Sequence, residues 1–321
     1  MIRRRIVRVL LANPRGFCAG VERAIEIVDL ALRVHGPPVY VRKEIVHNRF
    51  VVEDLRQRGA VFVEELAGVP EGAAVVFSAH GVSPRVREEA KARHLRAIDA
   101  TCPLVTKVHQ EVTRFLDEGY ELVLVGHTDH DEVAGTMGEA PEKIRLVARP
   151  KDAETVAVGN PERLMVLTQT TLSTDDTAAI MEKLRVRFPS LSQPPSDDIC
   201  YATRNRQQAV KALAKMARLI LVVGSRNSSN SIRLREVAED AGARSYLLDH
   251  VGAVDWAWLD GMDTVGITAG ASAPESLVRE VVNTILHKYG GEVEEIRTVE
   301  ETVHFMLPPE LEHAVRARAK T

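Results

Sequence analysis

The sequence is short of most features that would mark a secreted, membrane-spanning or nucleic-acid-binding protein. Aromatic residues make up 4% of its 321 positions, which leaves little for the stacking that single-stranded nucleic acids require. Neither sign of charge dominates, the net charge being −3, so there is no electrostatic case for binding a phosphate backbone. No segment approaches the roughly 18 uninterrupted apolar residues of a membrane span. The opening M-I-R-R-R-I-V-R-V-L-L-A resembles a signal peptide only superficially: Arg8 interrupts the apolar run, and Pro14 and Arg15 stand where a small-residue cleavage site belongs. It reads as a first strand with a basic lead-in, and a cytoplasmic location is expected. There is no G-x-G-x-x-G after a strand and no G-x-x-x-x-G-K-[ST], so dinucleotides and nucleoside triphosphates lack their usual signatures. With only three cysteines, widely spaced, a disulfide framework is excluded and a reducing compartment fits.

What is present is an ordinary globular composition, 45% hydrophobic and 27% charged, in a chain long enough for two or three domains of about 100–200 residues. Apolar runs with little alternation recur at 7–12, 74–79, 122–126, 165–168, 219–224 and 264–268. Such runs predict strands buried on both faces, as in parallel sheets covered by helices. Helical patterns lie between them: Val21, Ile25, Val28 and Leu32 share a face, as do Val105, Val108, Val112 and Leu116. The alternation predicts α/β units with right-handed crossovers. Q-P-P-S-D-D at 193–198 reads as a linker, and after about residue 288 the pattern changes to an acidic, proline-bearing tail expected to pack across the body.

Cys18, Cys102 and Cys200 divide the chain into near-equal thirds, and about 30 residues beyond each stands a polar residue: His47, His130 and Asn230. A second follows roughly 60 to 75 residues on: His80, Thr171 and Ser272. The pattern reads as three copies of one α/β unit. Each cysteine stands in a polar turn just before a predicted helix, and a helix N-terminus favours an anionic thiolate, the form a metal requires. A lone cysteine is most often a small buried hydrophobe, but three in matching places point to shared ligation. C-x2-C is absent, so a zinc finger is not indicated; three thiolates suit an iron–sulfur cluster whose fourth iron lacks a protein ligand.

Of the eleven histidines, His35, His94, His109, His250, His287, His304 and His313 have contexts in which a solvated or core role is the default. His47, His80 and His130 lie in turns expected at strand ends, where open parallel sheets bind ligands; His127 is ambiguous. The spacing H-x-x-H-x-E at 127–132 lacks the helical H-E-x-x-H geometry of a zinc site. G-S-R-N-S-S-N-S at 224–231 and T-A-G-A-S-A-P at 268–274 offer N–H and hydroxyl donors to an anion, or are simply two capped loops. Glu132, two residues after His130, is a candidate proton donor if buried beside an anion, and T-Q-T-T-L at 168–172 places Thr170 and Thr171 where a hydroxyl could relay that proton.

Together, N-P-R-G-F-C-A-G-V, V-H-N-R, S-A-H-G-V-S, D-A-T-C-P-L-V-T-K-V-H, T-Q-T-T-L-S, D-D-I-C-Y-A-T, G-S-R-N-S-S-N-S and T-A-G-A-S-A-P resemble the 4-hydroxy-3-methylbut-2-enyl diphosphate reductase (LytB or IspH) family, from about residue 7 to 285. The resemblance implies an α/β trefoil of three pseudo-equivalent units with small, mostly parallel sheets around one 4Fe–4S cluster. Residues 13–102 would form the first unit, 103–198 the second, and 1–12 with 199–288 the third, with 289–321 as the tail. It implies reductive removal of an allylic hydroxyl, giving isopentenyl and dimethylallyl diphosphates in the last step of the non-mevalonate isoprenoid pathway. Carried over by motif, Cys18, Cys102 and Cys200 hold the cluster and leave one iron open. His47, His80 and His130 contact the diphosphate, with Ser228, Ser229, Asn230 and Ser272 completing its hydrogen bonds; Thr170 is a further substrate-binding residue, and Thr171 and Glu132, with His130, handle the substrate hydroxyl and protons. The implied partners are a small allylic diphosphate and an electron donor of ferredoxin or flavodoxin type, with neither nucleic acid nor membrane. One departure stands out: the family's usual H-P-E is His130-Asp131-Glu132 here, and Asp131 is expected to point away from the site. The alternatives are a non-redox Lewis-acid enzyme with a three-cysteine cluster, similar to quinolinate synthase, and a redox-sensing or anion-binding protein.

Overall fold

The computed structural model describes residues 8–309, 311 and 312; the arginines at 3–5, His313 and the end of the tail lie outside the described residues. In chain order the elements are β1 (Arg8–Asn13), α1 (Ala19–His35), β2 (Val39–Arg42), α2 (Arg49–Gln57), β3 (Ala60–Val63), β4 (Ala74–Phe77), α3 (Pro84–Ala92) and β5 (Arg96–Asp99). There follow α4 (Pro103–Asp117), β6 (Glu121–Val125), α5 (Asp131–Met137), β7 (Ile144–Val147), α6 (Pro150–Thr155), β8 (Leu164–Thr168) and α7 (Thr174–Arg187). The last stretch holds α8 (Tyr201–Ala214), β9 (Leu219–Val223), α9 (Ser229–Asp240), β10 (Arg244–Leu248), β11 (Thr264–Ala269), α10 (Glu275–Tyr289) and β12 (Glu292–Arg297).

The strands make three small parallel sheets, ordered β10-β9-β11-β1-β12, β3-β2-β4-β5 and β7-β6-β8. By internal contacts the chain forms two compact units. The first comprises the described residues of 1–18 together with 47–49 and 201–303; the second comprises 19–46, 50–200 and the described residues beyond 303.

In the first unit, β9 reads L-I-L-V-V and every residue is buried, each side chain contributing about 1.5–3 kcal/mol of burial free energy. Leu10 of β1 and Ile220 of β9 pack with Leu213 of α8 and Leu234 of α9 in one core cluster. The segment after residue 288 contributes β12, paired in parallel with β1 from Arg8↔Glu292 to Asn13↔Arg297.

In the second unit, the apolar faces of α4 (Val108, Val112, Phe115) and β6 (Leu122, Leu124) share one cluster, and β8 packs with α7 through Val166, Ile180 and Leu184. In α1 the buried stripe is Ala24, Ile27, Val28, Ala31 and Leu32. Val21 and Ile25, expected on that face, are half-buried. Pro103 opens α4 at its first position, where its missing N–H costs nothing.

Candidate active site

All the parallel strands deliver their polar loops at their carboxyl ends, and the candidate residues are distributed between the two units. The second unit holds Cys102, Cys200, His80, His130, Glu132, Thr170 and Thr171; the first holds Cys18, His47, Ser228, Ser229, Asn230 and Ser272.

In the second unit, the loop after β4 turns through Ser78 and Gly81, whose φ of +85° is open to glycine at little cost. A Cβ on Gly81 would stand 3.2 Å from the buried ring of His109. His109 has the core role expected of it, its Nδ1 lying 2.6 Å from Glu139. Ser78 Oγ lies 3.5 Å from His80 Nδ1, and the His80 and His130 rings meet edge to face with centroids 5.7 Å apart. His130 caps α5, its Nδ1 accepting the Glu132 N–H at 3.1 Å. That bond fixes the ring while starting the helix that carries Glu132.

Glu132 is 3% exposed. Its Oε1 accepts the Thr170 N–H at 2.7 Å and its Oε2 accepts the Thr170 hydroxyl at 3.0 Å. Burial pushes the carboxyl up to about 6, against the opposing pull of the two Thr170 bonds. The hydroxyl paired with Glu132 is thus that of Thr170. Thr171 Oγ1 accepts from Gln169 Nε2 at 2.8 Å, and Gln169 Oε1 in turn accepts the His127 N–H at 3.0 Å. Gln169 therefore ties the β6 and β8 loops together, a role the sequence reading missed although it lies within T-Q-T-T-L.

Asp131 departs from expectation. One of its carboxylate oxygens lies within 4.8 Å of a ring nitrogen of His80 and another contact places Oδ1 3.9 Å from Lys43 Nζ. Its carboxylate therefore lies near both the His80 ring and the Lys43 ammonium.

In the first unit, Ser228 caps α9 and accepts from Ser231 N–H and Oγ–H at 3.4 and 3.1 Å. The Ser272 hydroxyl lies 3.4 Å from Ser228 Oγ and donates to the His47 carbonyl oxygen at 3.0 Å. A Cβ on Gly224 or Gly270 would stand 2.2 or 2.0 Å from Ser231 Oγ, so both glycines are there to let the two loops close on this serine. Asn230 is buried; its Oδ1 accepts the Ala271 N–H at 2.8 Å. The Ala271 carbonyl accepts the Cys18 N–H at 3.3 Å. Arg206, fully buried on α8, donates to the carbonyls of Gly16, Phe17 and Ala202 and pairs with Glu301. It clamps the loop that carries Cys18, and nothing in its helical spacing singled it out.

The three cysteines are half-buried and in no disulfide. Each stands immediately before a helix, Cys102 as the N-cap of α4. The backbone N–H of each is held by a neighbouring loop: Cys18 by Ala271 O, Cys102 by Ala79 O at 3.0 Å and Cys200 by Thr170 O at 3.1 Å. Three soft sulfur donors on fixed loops, each at the positive end of a helix, fit an iron–sulfur group.

Small parallel sheets with a buried protonatable carboxylate, imidazoles, hydroxyls and thiols at their strand ends define an α/β enzyme. A model of the family described as LytB protein matches residues 9–286, and the chain belongs to that family. The family is one of iron–sulfur enzymes. The 4-hydroxy-3-methylbut-2-enyl diphosphate reductase of Acidothermus cellulolyticus is 59% identical over 314 residues, 98% of this chain and 92% of that one. The solved (E)-1-hydroxy-2-methyl-but-2-enyl-4-diphosphate reductase of Plasmodium falciparum is 38% identical, with a TM-score of 0.95, covering 98% of this chain and 99% of that one. A second solved structure, of (E)-4-hydroxy-3-methyl-but-2-enyl diphosphate reductase, the terminal enzyme of the non-mevalonate pathway, is 30% identical at a TM-score of 0.62, covering 88% and 99%. The chain is an enzyme of this reductase family; the non-redox alternative is not favoured.

Proposed function

We propose that the chain reduces 4-hydroxy-3-methylbut-2-enyl diphosphate to isopentenyl and dimethylallyl diphosphates. Two electrons and two protons enter, the allylic C–O bond breaks, and the oxygen leaves as water. The observation that carries this reading is Glu132: a buried carboxyl, raised to about 6 and held at both oxygens by Thr170, is poised to give a proton near neutrality.

In this reading Cys18, Cys102 and Cys200 hold one 4Fe–4S cluster and leave one iron without a protein ligand. When bound, that group supplies single electrons and a Lewis-acidic iron for the substrate oxygen. The chain's own residues do the rest. His47, His80 and His130 receive the diphosphate with imidazole N–H donors, and Ser228, Ser229, Asn230 and Ser272 complete its hydrogen bonds. Glu132 protonates the departing oxygen, with the hydroxyls of Thr170 and Thr171 aligning the transfer. Burial of Glu132 and Thr170 keeps bulk water away from that proton.

The electron donor is a small protein of ferredoxin or flavodoxin type, and the enzyme works in the cytoplasm; no helix among the described residues is long and apolar enough to cross a membrane. The three sheets support an organisation into three units, 13–102, 103–198 and 1–12 with 199–288, followed by a tail over 289–321.

Mössbauer spectroscopy of anaerobically purified, iron-57-labelled protein tests the reading. One distinct iron that responds to the hydroxylated diphosphate is expected. Four equivalent irons blind to substrate, or zinc in place of iron, would overturn it.

A further inference from the structure

The carboxylate two residues before Cys200 links two separate segments of the second unit. Asp198 has a side chain 2% exposed, and its Oδ1 accepts from Lys107 Nζ at 2.7 Å. Lys107 stands on α4, the helix that Cys102 caps. Asp198 Oδ2 accepts the N–H of Thr168, the last residue of β8, at 2.9 Å. Two residues further, Thr170 holds both oxygens of Glu132, and its own carbonyl accepts the Cys200 N–H. Lys107 makes two more contacts, with the Ser196 carbonyl at 3.2 Å and with Glu111 Oε2 at 3.2 Å, one helical turn along α4.

One ion pair therefore joins three segments of the same unit: the helix started by Cys102, the chain leading into Cys200, and the turn that seats Glu132. Asp198 is buried and Lys107 only partly so; such a pair adds little stability, because desolvating the carboxylate offsets much of the attraction. Its directional bonds do fix geometry. Here Asp198 spends one oxygen on a side chain of α4 and the other on the backbone of β8, so neither segment can slide without breaking a bond to a buried carboxylate.

We propose that Asp198 and Lys107 are positioning residues that set the spacing of Cys102 and Cys200 and register the Thr170 turn to them. The proposal rests on the reading above that both cysteines are cluster ligands. Neither residue is assigned a contact with substrate or cluster; each acts through the segment it holds, as the groups behind metal ligands commonly do.

The test compares anaerobically purified wild type, Asp198→Asn and Lys107→Arg. Asp198→Asn keeps an acceptor for the Thr168 N–H and removes the ion pair, while Lys107 retains Glu111. The readouts are the electron paramagnetic resonance g values of the reduced protein and the rate of iron loss to an added chelator. Iron release from Asp198→Asn should be roughly 10- to 100-fold faster than from wild type, with shifted g values; Lys107→Arg should lie close to wild type. If Asp198→Asn does not fold, the charge-balanced pair Asp198→Asn with Lys107→Met takes its place.

A variant that melts at lower temperature but keeps wild-type g values and iron release overturns the positioning role. A wild type that carries no cluster, or that keeps it in Cys102→Ala and Cys200→Ala, overturns the ligand assignment as well. The two failures are thereby told apart.

Discussion

Thr170 grips both carboxylate oxygens of Glu132, one through its backbone N–H at 2.7 Å and the other through its hydroxyl at 3.0 Å. Both bonds favour the ionised carboxylate, yet burial outweighs them and the group sits near 6. A carboxyl so placed is held in one orientation while remaining able to give up its proton. Glu132→Gln preserves the shape and removes the proton. Turnover should fall by at least about 100-fold while the diphosphate still binds, as steady-state rates and calorimetry would show. Full activity in this variant would remove Glu132 from the chemistry.

Thr170→Val deletes the hydroxyl and keeps the N–H bond. With one stabilising bond to the anion gone, the Glu132 carboxyl should rise above its present value. The basic limb of the rate profile should then move to higher pH. A limb that stays in place would show that another group sets it.

Stability should depend on pH in the same region. Glu132 is raised from 4.5 to about 6 and Glu111 from 4.5 to about 7, both chiefly by burial, with Asp198's negative charge adding to the second. The folded state binds more protons than the unfolded chain between those values, so the stabilising contribution is full below about pH 4.5 and is lost as pH rises to about 7. For Glu132 the loss is roughly 2 kcal/mol. Melting temperatures should decline from pH 5 to pH 7.5, and the combined Glu132→Gln and Glu111→Gln variant should flatten that slope.

Asp131→Pro restores the residue usual in the family at the first position of α5. Proline suits that position because its fixed φ matches the helix and no N–H is needed. The cost is the Asp131–Lys43 contact, at 3.9 Å between half-exposed groups, worth under about 1 kcal/mol. Thermal unfolding should change by only a few degrees, and diphosphate affinity should be retained. His80→Phe, in contrast, should weaken diphosphate affinity with little change in fold.

Gly270→Ala drives a methyl group to 2.0 Å from Ser231 Oγ. The clash should cost about 1–3 kcal/mol and loosen the Ser228–Ser272 contact. Adding Ser231→Ala should recover part of the stability, since the nearest remaining side-chain atom, Ser231 Cβ, is 3.1 Å away. A double variant as unstable as the single one would place the strain elsewhere.

The strands legible in the sequence are those buried on both faces. The six apolar runs correspond to β1, β4, β6, β8, β9 and β11. Unread were β2, β3, β5, β7, β10 and β12, all short or at a sheet edge. β12, E-V-E-E-I-R, is exposed at five of its six residues; its strand character comes from pairing with β1, which no local pattern announces. The site shows the same division. Residues in loops after strands stood out because turns hold few reasons for cysteine or histidine. Arg206 and Lys107 lie within helices where a basic residue is unremarkable, and only the fold reveals that one is fully buried and the other bridges to Asp198. The resemblance gave the proton-handling role to Thr171, but both bonds to Glu132 come from Thr170, while Thr171 accepts from Gln169; adjacency in the sequence could not separate the two.

The place of β1 has a consequence for how the protein is made. Its two neighbours in the sheet, β11 and β12, are synthesised about 250 residues after it, and the Cys18 loop leans on Ala269, Ala271, Arg206 and Glu301, also late arrivals. At 5–20 residues per second, the first thiol waits on the order of ten to fifty seconds on the ribosome before its seat exists. During that interval it is an unprotected sulfur on a growing chain. On the proposed assignment of Cys18 as a cluster ligand, iron delivery belongs after translation of the last strand, because only then are the partners of the Cys18 loop in place.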